Sequence, residues 1–135
     1  MRRILKEAMT HRLVALVILA TVSSLSLPNS VAAQTNSVSW DNGQPSSPMP
    51  GQITGSGTYT LAPGWSPSSV VLIAVPTQGG QPITQPGNQP AGGKWGPITM
   101  RGVAKGQYTV YASITFRGGG NPQNVATPTA ILNVN

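Results

Sequence analysis

The sequence predicts an all-β fold, a small two-sheet antiparallel β-sandwich preceded by an N-terminal hydrophobic signal helix. Three observations lead there. Residues 106–116 alternate apolar and polar side chains, with Tyr108, Val110, Ala112, Ile114 and Phe116 on one side and Thr109, Ser113 and Thr115 on the other, the pattern of a strand buried on one face. Residues 69–75 (SVVLIAV) form a β-branched apolar run stopped by Pro76, too short for a typical helix and suited to a central strand. From Gln34 onward no stretch keeps helical periodicity over three turns, while Gly and Pro clusters recur between the apolar runs, as in sandwiches of short strands.

Taken in chain order, residues 1–12 hold four of the eight basic residues, one of the two acids and the single histidine. Residues 13–27 (LVALVILATVSSLSL) follow as an apolar run of fifteen that includes three serines. A membrane-spanning helix needs roughly 20 apolar residues. A basic head, a short apolar stretch and the small residues of Val31-Ala32-Ala33 make residues 1–33 a predicted signal peptide, cleaved between Ala33 and Gln34. The shorter run favours this over an uncleaved anchor. The expected localisation is exported: periplasmic, cell-surface or extracellular, with no membrane association after cleavage.

Residues 34–52 are rich in Asn, Ser, Pro and Gly and are expected to form an arm that joins the leader to the domain or lies along its edge, with one short extended candidate at residues 37–40 and a turn at Asp41-Asn42-Gly43. The domain proper is expected over residues 53–135. Its strands are predicted at residues 53–61, 69–75, 95–103, 106–116 and 128–134. Turns are expected at Ala62-Pro63-Gly64, Gly79-Gly80, Ala104-Lys105-Gly106 and Gly118 to Pro122. Residues 76–93, with Pro82, Pro86 and Pro90, are predicted to be one long loop.

Residues 34–135 carry Lys94, Arg101, Lys105 and Arg117 against Asp41, a net charge of +3. Four scattered cations give a field too thin for nucleic-acid binding. The chain has no cysteine, and so no disulfide, thiolate or lipid-attachment site. Beyond residue 33 it also has no histidine and no glutamate. A catalytic triad then lacks its base, a glycosidase its second carboxylate, and zinc or calcium sites their ligands. No cofactor or metal is expected. Gly118-Gly119-Gly120 and Gly92-Gly93-Lys94 lack the spacing of a phosphate-binding loop.

Residues 96–112, Gly96 to Ala112, resemble bacterial extracytoplasmic sandwich modules of the carboxypeptidase-regulatory-like and collagen-adhesin B-type groups. In those a short turn leads into a strand opened by Gly-x-Tyr-x-Val, matched here by Gly106, Tyr108 and Val110, with Val103 in the place of a usual leucine. The resemblance covers 17 of 102 residues. It implies an immunoglobulin-like or prealbumin-like sandwich with a scaffold role and no activity; with no glutamate past residue 33, it implies no isopeptide cross-link either.

Two functional expectations follow. One is a non-catalytic secreted or envelope module with a structural or protein-interaction role, its partner an envelope or extracellular protein. The alternative is a carbohydrate-binding module in which Trp65 and Trp95, both at predicted loop edges, stack on a glycan; against it stands the favoured reading of each indole as filling the space between the two sheets.

Overall fold

The computed structural model describes residues 35–135; the expected signal peptide and its cleavage site between Ala33 and Gln34 lie outside the described residues. Eight strands form two antiparallel sheets: β1 (Ser37–Trp40), β2 (Gln52–Thr60), β3 (Ser66–Pro76), β4 (Ile83–Pro86), β5 (Lys94–Arg101), β6 (Gly106–Arg117), β7 (Gln123–Ala126) and β8 (Ala130–Val134). One sheet has the order β1-β2-β5, and the other β4-β3-β6-β7 with β8 beside β6. The described residues hold no α-helix and are all-β, as the strand periodicity predicts.

Alternation sends one face of each sheet inward. From β6 come Tyr108, Val110, Ala112, Ile114 and Phe116; from β3, Val70, Leu72 and Ala74; from β2 and β5, Ile53, Tyr59, Trp95, Ile98 and Met100, all in one buried cluster. Tyr59 and Phe116 meet across the two layers with ring centroids 6.0 Å apart and planes tilted by 56°. Each fully buried aliphatic side chain contributes up to about 1.5–3 kcal/mol, an upper bound because the unfolded chain already hides part of its surface.

The inward positions of β2 explain its unusual sequence. Ile53, Gly55, Gly57 and Tyr59 all point inward, and the two glycines leave room for two indoles. A β-carbon on Gly55 would stand 2.7 Å from Trp40 Cζ3, and one on Gly57 would stand 2.5 Å from Trp95 Nε1 and 1.9 Å from the Ser39 carbonyl oxygen. Trp40 and Trp95 pack there with centroids 5.4 Å apart, tilted by 59°.

Three sequence expectations are corrected. The domain begins before residue 53, since β1 lies within the stretch expected as an arm and pairs with β2 from Ser37↔Thr60 to Trp40↔Gly57. Val38 and Trp40 drive this by alternating into the core. The ladder breaks at a 3-10 turn, Asp41–Gly43, and resumes where Ser46 and Thr54 exchange backbone hydrogen bonds. Second, residues 76–93 are not one loop: β4 pairs with β3 from Val71↔Pro86 to Ala74↔Ile83, with Ile83 packed against the core. Third, β7 follows the glycine-rich turn and pairs with β6 from Ser113↔Ala126 to Phe116↔Gln123.

Polar ties close one side of the sandwich. Asn36 Nδ2 donates to Gln123 Oε1 at 2.8 Å, and its Oδ1 accepts from the Ala62 amide. Trp40 Nε1 donates to the Pro128 carbonyl at 2.8 Å. Between β7 and β8 the buried Thr127 hydroxyl accepts from the Ala112 amide at 3.0 Å, while its own amide donates to the Ala112 carbonyl. A side chain thus stands in for a ladder acceptor where the two edge strands meet.

Candidate functional site

Among the described residues the ionisable side chains other than tyrosine are Asp41, Lys94, Arg101, Lys105 and Arg117, and no three His, Cys, Asp or Glu side chains come together. Asp41 sits in the 3-10 turn and accepts a hydrogen bond from Ser56 Oγ at 3.3 Å. Every buried side-chain nitrogen or oxygen among the described residues has a partner. The surface of the described residues includes two shallow regions of note. One of about 420 Å³ lies between β5 and the segment before it, lined by Asn88, Gln89, Pro90, Lys94, Trp95 and Pro97. One of about 250 Å³ lies beside Lys105, Gln107 and Tyr108.

The two tryptophans expected at loop edges part company. Trp95 lies on β5 and is 2% exposed, its Nε1 donating to the Ser39 carbonyl at 3.2 Å. At that exposure it offers almost no surface for a glycan to stack on, which favours core packing over ligand stacking for this residue. Its flanking Gly93, Gly96 and Pro97 read as loop composition. They serve instead an irregular strand in which Gly96, at φ 79°, faces the bulge of β2 between Gly55 and Gly57. Trp65 is half-buried and packs against the core, its indole over Gly118, where a β-carbon would come within 2.6 Å of Cδ2. Of the two, Trp65 alone keeps appreciable exposure for a glycan.

The outer faces of the two sheets differ in chemistry. On the three-stranded sheet, Ser39 and Thr58 hydroxyls lie 2.8 Å apart, Thr54 and Thr99 3.1 Å apart, and Ser37 pairs with Thr60. Lys94 and Arg101 flank this array, opposite Thr58 and Gln52. Cross-strand hydroxyl pairs of this kind stabilise a sheet and keep its surface wetted.

On the five-stranded sheet the outward residues combine an apolar strip with polar side chains: Gln107, Thr109, Ser113 and Thr115 of β6 share the face with Tyr111, and Thr115 Oγ1 donates to Asn124 Oδ1 at 2.7 Å. Val71, Ile73 and Val75 of β3 alternate with the buried set and remain partly exposed. Ile73 lies opposite Tyr111 of β6 on one side and Thr84 of β4 on the other. Val71 lies opposite Pro86, Val75 opposite Thr109, and Thr109 opposite Ile131 of β8. Ile131 is 66% exposed. The sheet's outward residues include one charge, Arg117, at the far end of β6 beside Ser66.

This face was missed in the sequence, although two signals pointed to it: the absence of polar alternation in residues 70–75 and Tyr111 as the one break in the alternation of β6. Comparison with protein-family models, with curated proteins and with solved structures gives no match.

Proposed function

We propose that the chain is an exported, non-catalytic sandwich module of the immunoglobulin-like type that works by protein contact at the outer face of its five-stranded sheet. The observation that carries this reading is the face itself: Val71, Ile73, Val75, Tyr111 and Ile131 form an aliphatic and aromatic surface among uncharged neighbours. Contiguous apolar surface of this kind marks interaction sites in soluble proteins.

The fold type rests on strand order and on one hydrogen bond. The pairing β1-β2-β5 against β3-β6-β7 parallels the A-B-E and C-F-G groupings of immunoglobulin-like sandwiches, with β4 placed beside β3. Tyr108, at the start of β6, donates its hydroxyl to the Ala104 carbonyl four residues upstream, the arrangement known there as a tyrosine corner. Gly106, Tyr108 and Val110 also carry the resemblance to the extracytoplasmic modules. Export rests on the basic head, the apolar run and the small residues ending at Ala33.

Two measurements test the reading. The N-terminus of the protein recovered outside the cytoplasm is expected at Gln34, and a start at Met1 would remove the cleavage. A photocrosslinker at Tyr111, used in the native compartment, is expected to capture protein; specific binding of a glycan, with no protein captured, would replace the reading with the carbohydrate one.

A further inference from the structure

We propose that Asn42-Gly43 is a self-modifying site, where the Asn42 side chain loses ammonia through a cyclic imide and ends as isoaspartate or aspartate; this is independent of the protein-contact reading above. An asparagine closes such a ring when the backbone nitrogen of the next residue reaches its Cγ. Three things therefore select the position: a following residue of little bulk that carries an N–H, an amide open to water, and a backbone free to turn. Asn42-Gly43 is the one Asn-Gly pair in the chain. Glycine has no β-carbon to crowd its nitrogen and the widest choice of backbone angles.

The other asparagines followed by a residue in the described sandwich each fail on one count. Asn36 is 8% exposed, and both ends of its amide are bonded, to Gln123 and to the Ala62 amide. Asn121 precedes Pro122, which has no N–H to give up. Asn124 and Asn133 lie within β7 and β8 and precede valines, whose branching crowds the backbone. Asn88 is exposed but is followed by Gln89.

Asn42 is exposed and stands in the 3-10 turn that interrupts the ladder of β1. Its φ of 51° and ψ of 20° are left-handed, a region that asparagine enters more readily than most residues. At that ψ the Gly43 nitrogen is turned away from the Asn42 side chain, so ring closure waits for the turn to open. Opening of a short exposed turn is local and costs little. The anchors on either side stay in place: Trp40 is buried with Nε1 on the Pro128 carbonyl, and Ser46 exchanges two backbone hydrogen bonds with Thr54.

In the reaction the Gly43 nitrogen bonds to Cγ and the Cγ–Nδ2 bond breaks, the Gly43 proton leaving with that nitrogen as ammonia. Water then opens the imide. Cleavage of the new Cγ–N bond gives aspartate; cleavage at the original main-chain carbonyl gives isoaspartate, whose backbone is longer by one carbon. Either product places a second carboxylate beside Asp41, and residues 34–135 then carry four cations against two acids, a net +2. The added carbon falls in the turn between the two anchors, and the sandwich stays folded.

The test is to age the full chain in neutral and in mildly alkaline buffer, with a sample in urea as the unfolded reference. Chymotrypsin, cutting after Trp40 and Tyr59, separates Asn42 from every other asparagine. A one-dalton gain is expected first in that peptide, faster at higher pH because the Gly43 nitrogen must lose its proton, and isoaspartyl methyltransferase should label it. Asn42→Gln should abolish the gain and the label, and Gly43→Ala should slow both several-fold. If Asn42 of the folded protein keeps its amide while the unfolded chain converts, or another asparagine of residues 35–135 changes first, the proposal is overturned. A gain at Asn42 that never brings an isoaspartyl label overturns the imide route.

Discussion

The hydroxyl of Tyr108 donates to the carbonyl of Ala104 at 2.7 Å, so the residue that opens β6 also holds the turn leading into it. The ring is buried at 5% exposure, and its polar tip reaches the Ala104 carbonyl in the turn before the strand. Tyr108→Phe keeps the ring and removes the bond. It is expected to lower stability by about 0.5–1.5 kcal/mol, a fall of roughly 4–8 °C in Tm per kcal/mol for a domain of this size. Thermal unfolding followed by circular dichroism checks this, and an unchanged Tm would show that the turn is held by other contacts.

Two glycines give opposite expectations. Gly57→Ala forces a β-carbon toward the Ser39 carbonyl and the Trp95 indole, whereas one on Gly119 meets nothing within 4 Å. The first is expected to cost at least the upper part of the ~1–3 kcal/mol range of overpacking, and the second to stay within about 0.5 kcal/mol. Urea midpoints of the two variants decide it; equal midpoints would mean that β2 can shift away from Trp95.

Thr127→Val removes a hydroxyl of nearly the same shape and leaves the Ala112 amide without its acceptor. An unsatisfied buried amide costs about 1–3 kcal/mol. Thr127→Ser should recover most of the loss. Hydrogen exchange at the Ala112 amide, read by NMR, separates this from a general loosening: the valine variant should speed exchange there more than at Val110 or Ile114.

The tryptophans are expected to separate in the same assay. Trp95→Ala opens a large hole beneath β2 and should cost about 3–5 kcal/mol. Trp65→Ala, half-buried over Gly118, should cost clearly less. If Trp95→Ala folded as stably as Trp65→Ala, the placement of Trp95 in the core would be refuted.

How far the sequence can be read depends on what each strand faces. β6 is plain because its alternation spans eleven residues, and β3 is plain as a strand because it is β-branched and ends at a proline. β4 was hidden because Ile83-Thr84-Gln85-Pro86 is four residues long with a proline at its end, so its turn composition outweighs one inward isoleucine. β7 was hidden because Gln123-Asn124-Val125-Ala126 sends only Val125 against the core. Trp95 stands at the predicted start of its strand, but the glycines that let a strand crowd a bulge also signal a loop, which left a second, loop-edge reading open. The tie from Asn36 to Gln123 joins residues 87 apart in sequence and leaves no local trace. The outer face of the five-stranded sheet was half legible: the apolar run was visible, but one-sided exposure requires knowing which strands flank it.

Each sheet margin carries an interruption. β1 breaks at Asn42, with φ 51°, before Pro45; β4 is bounded by Pro82 and Pro86, β5 contains Pro97, and Pro128 separates β7 from β8. A neighbouring chain therefore finds no long run of free amides and carbonyls to zip onto. Open-ended strand-by-strand growth into fibrils is thereby disfavoured.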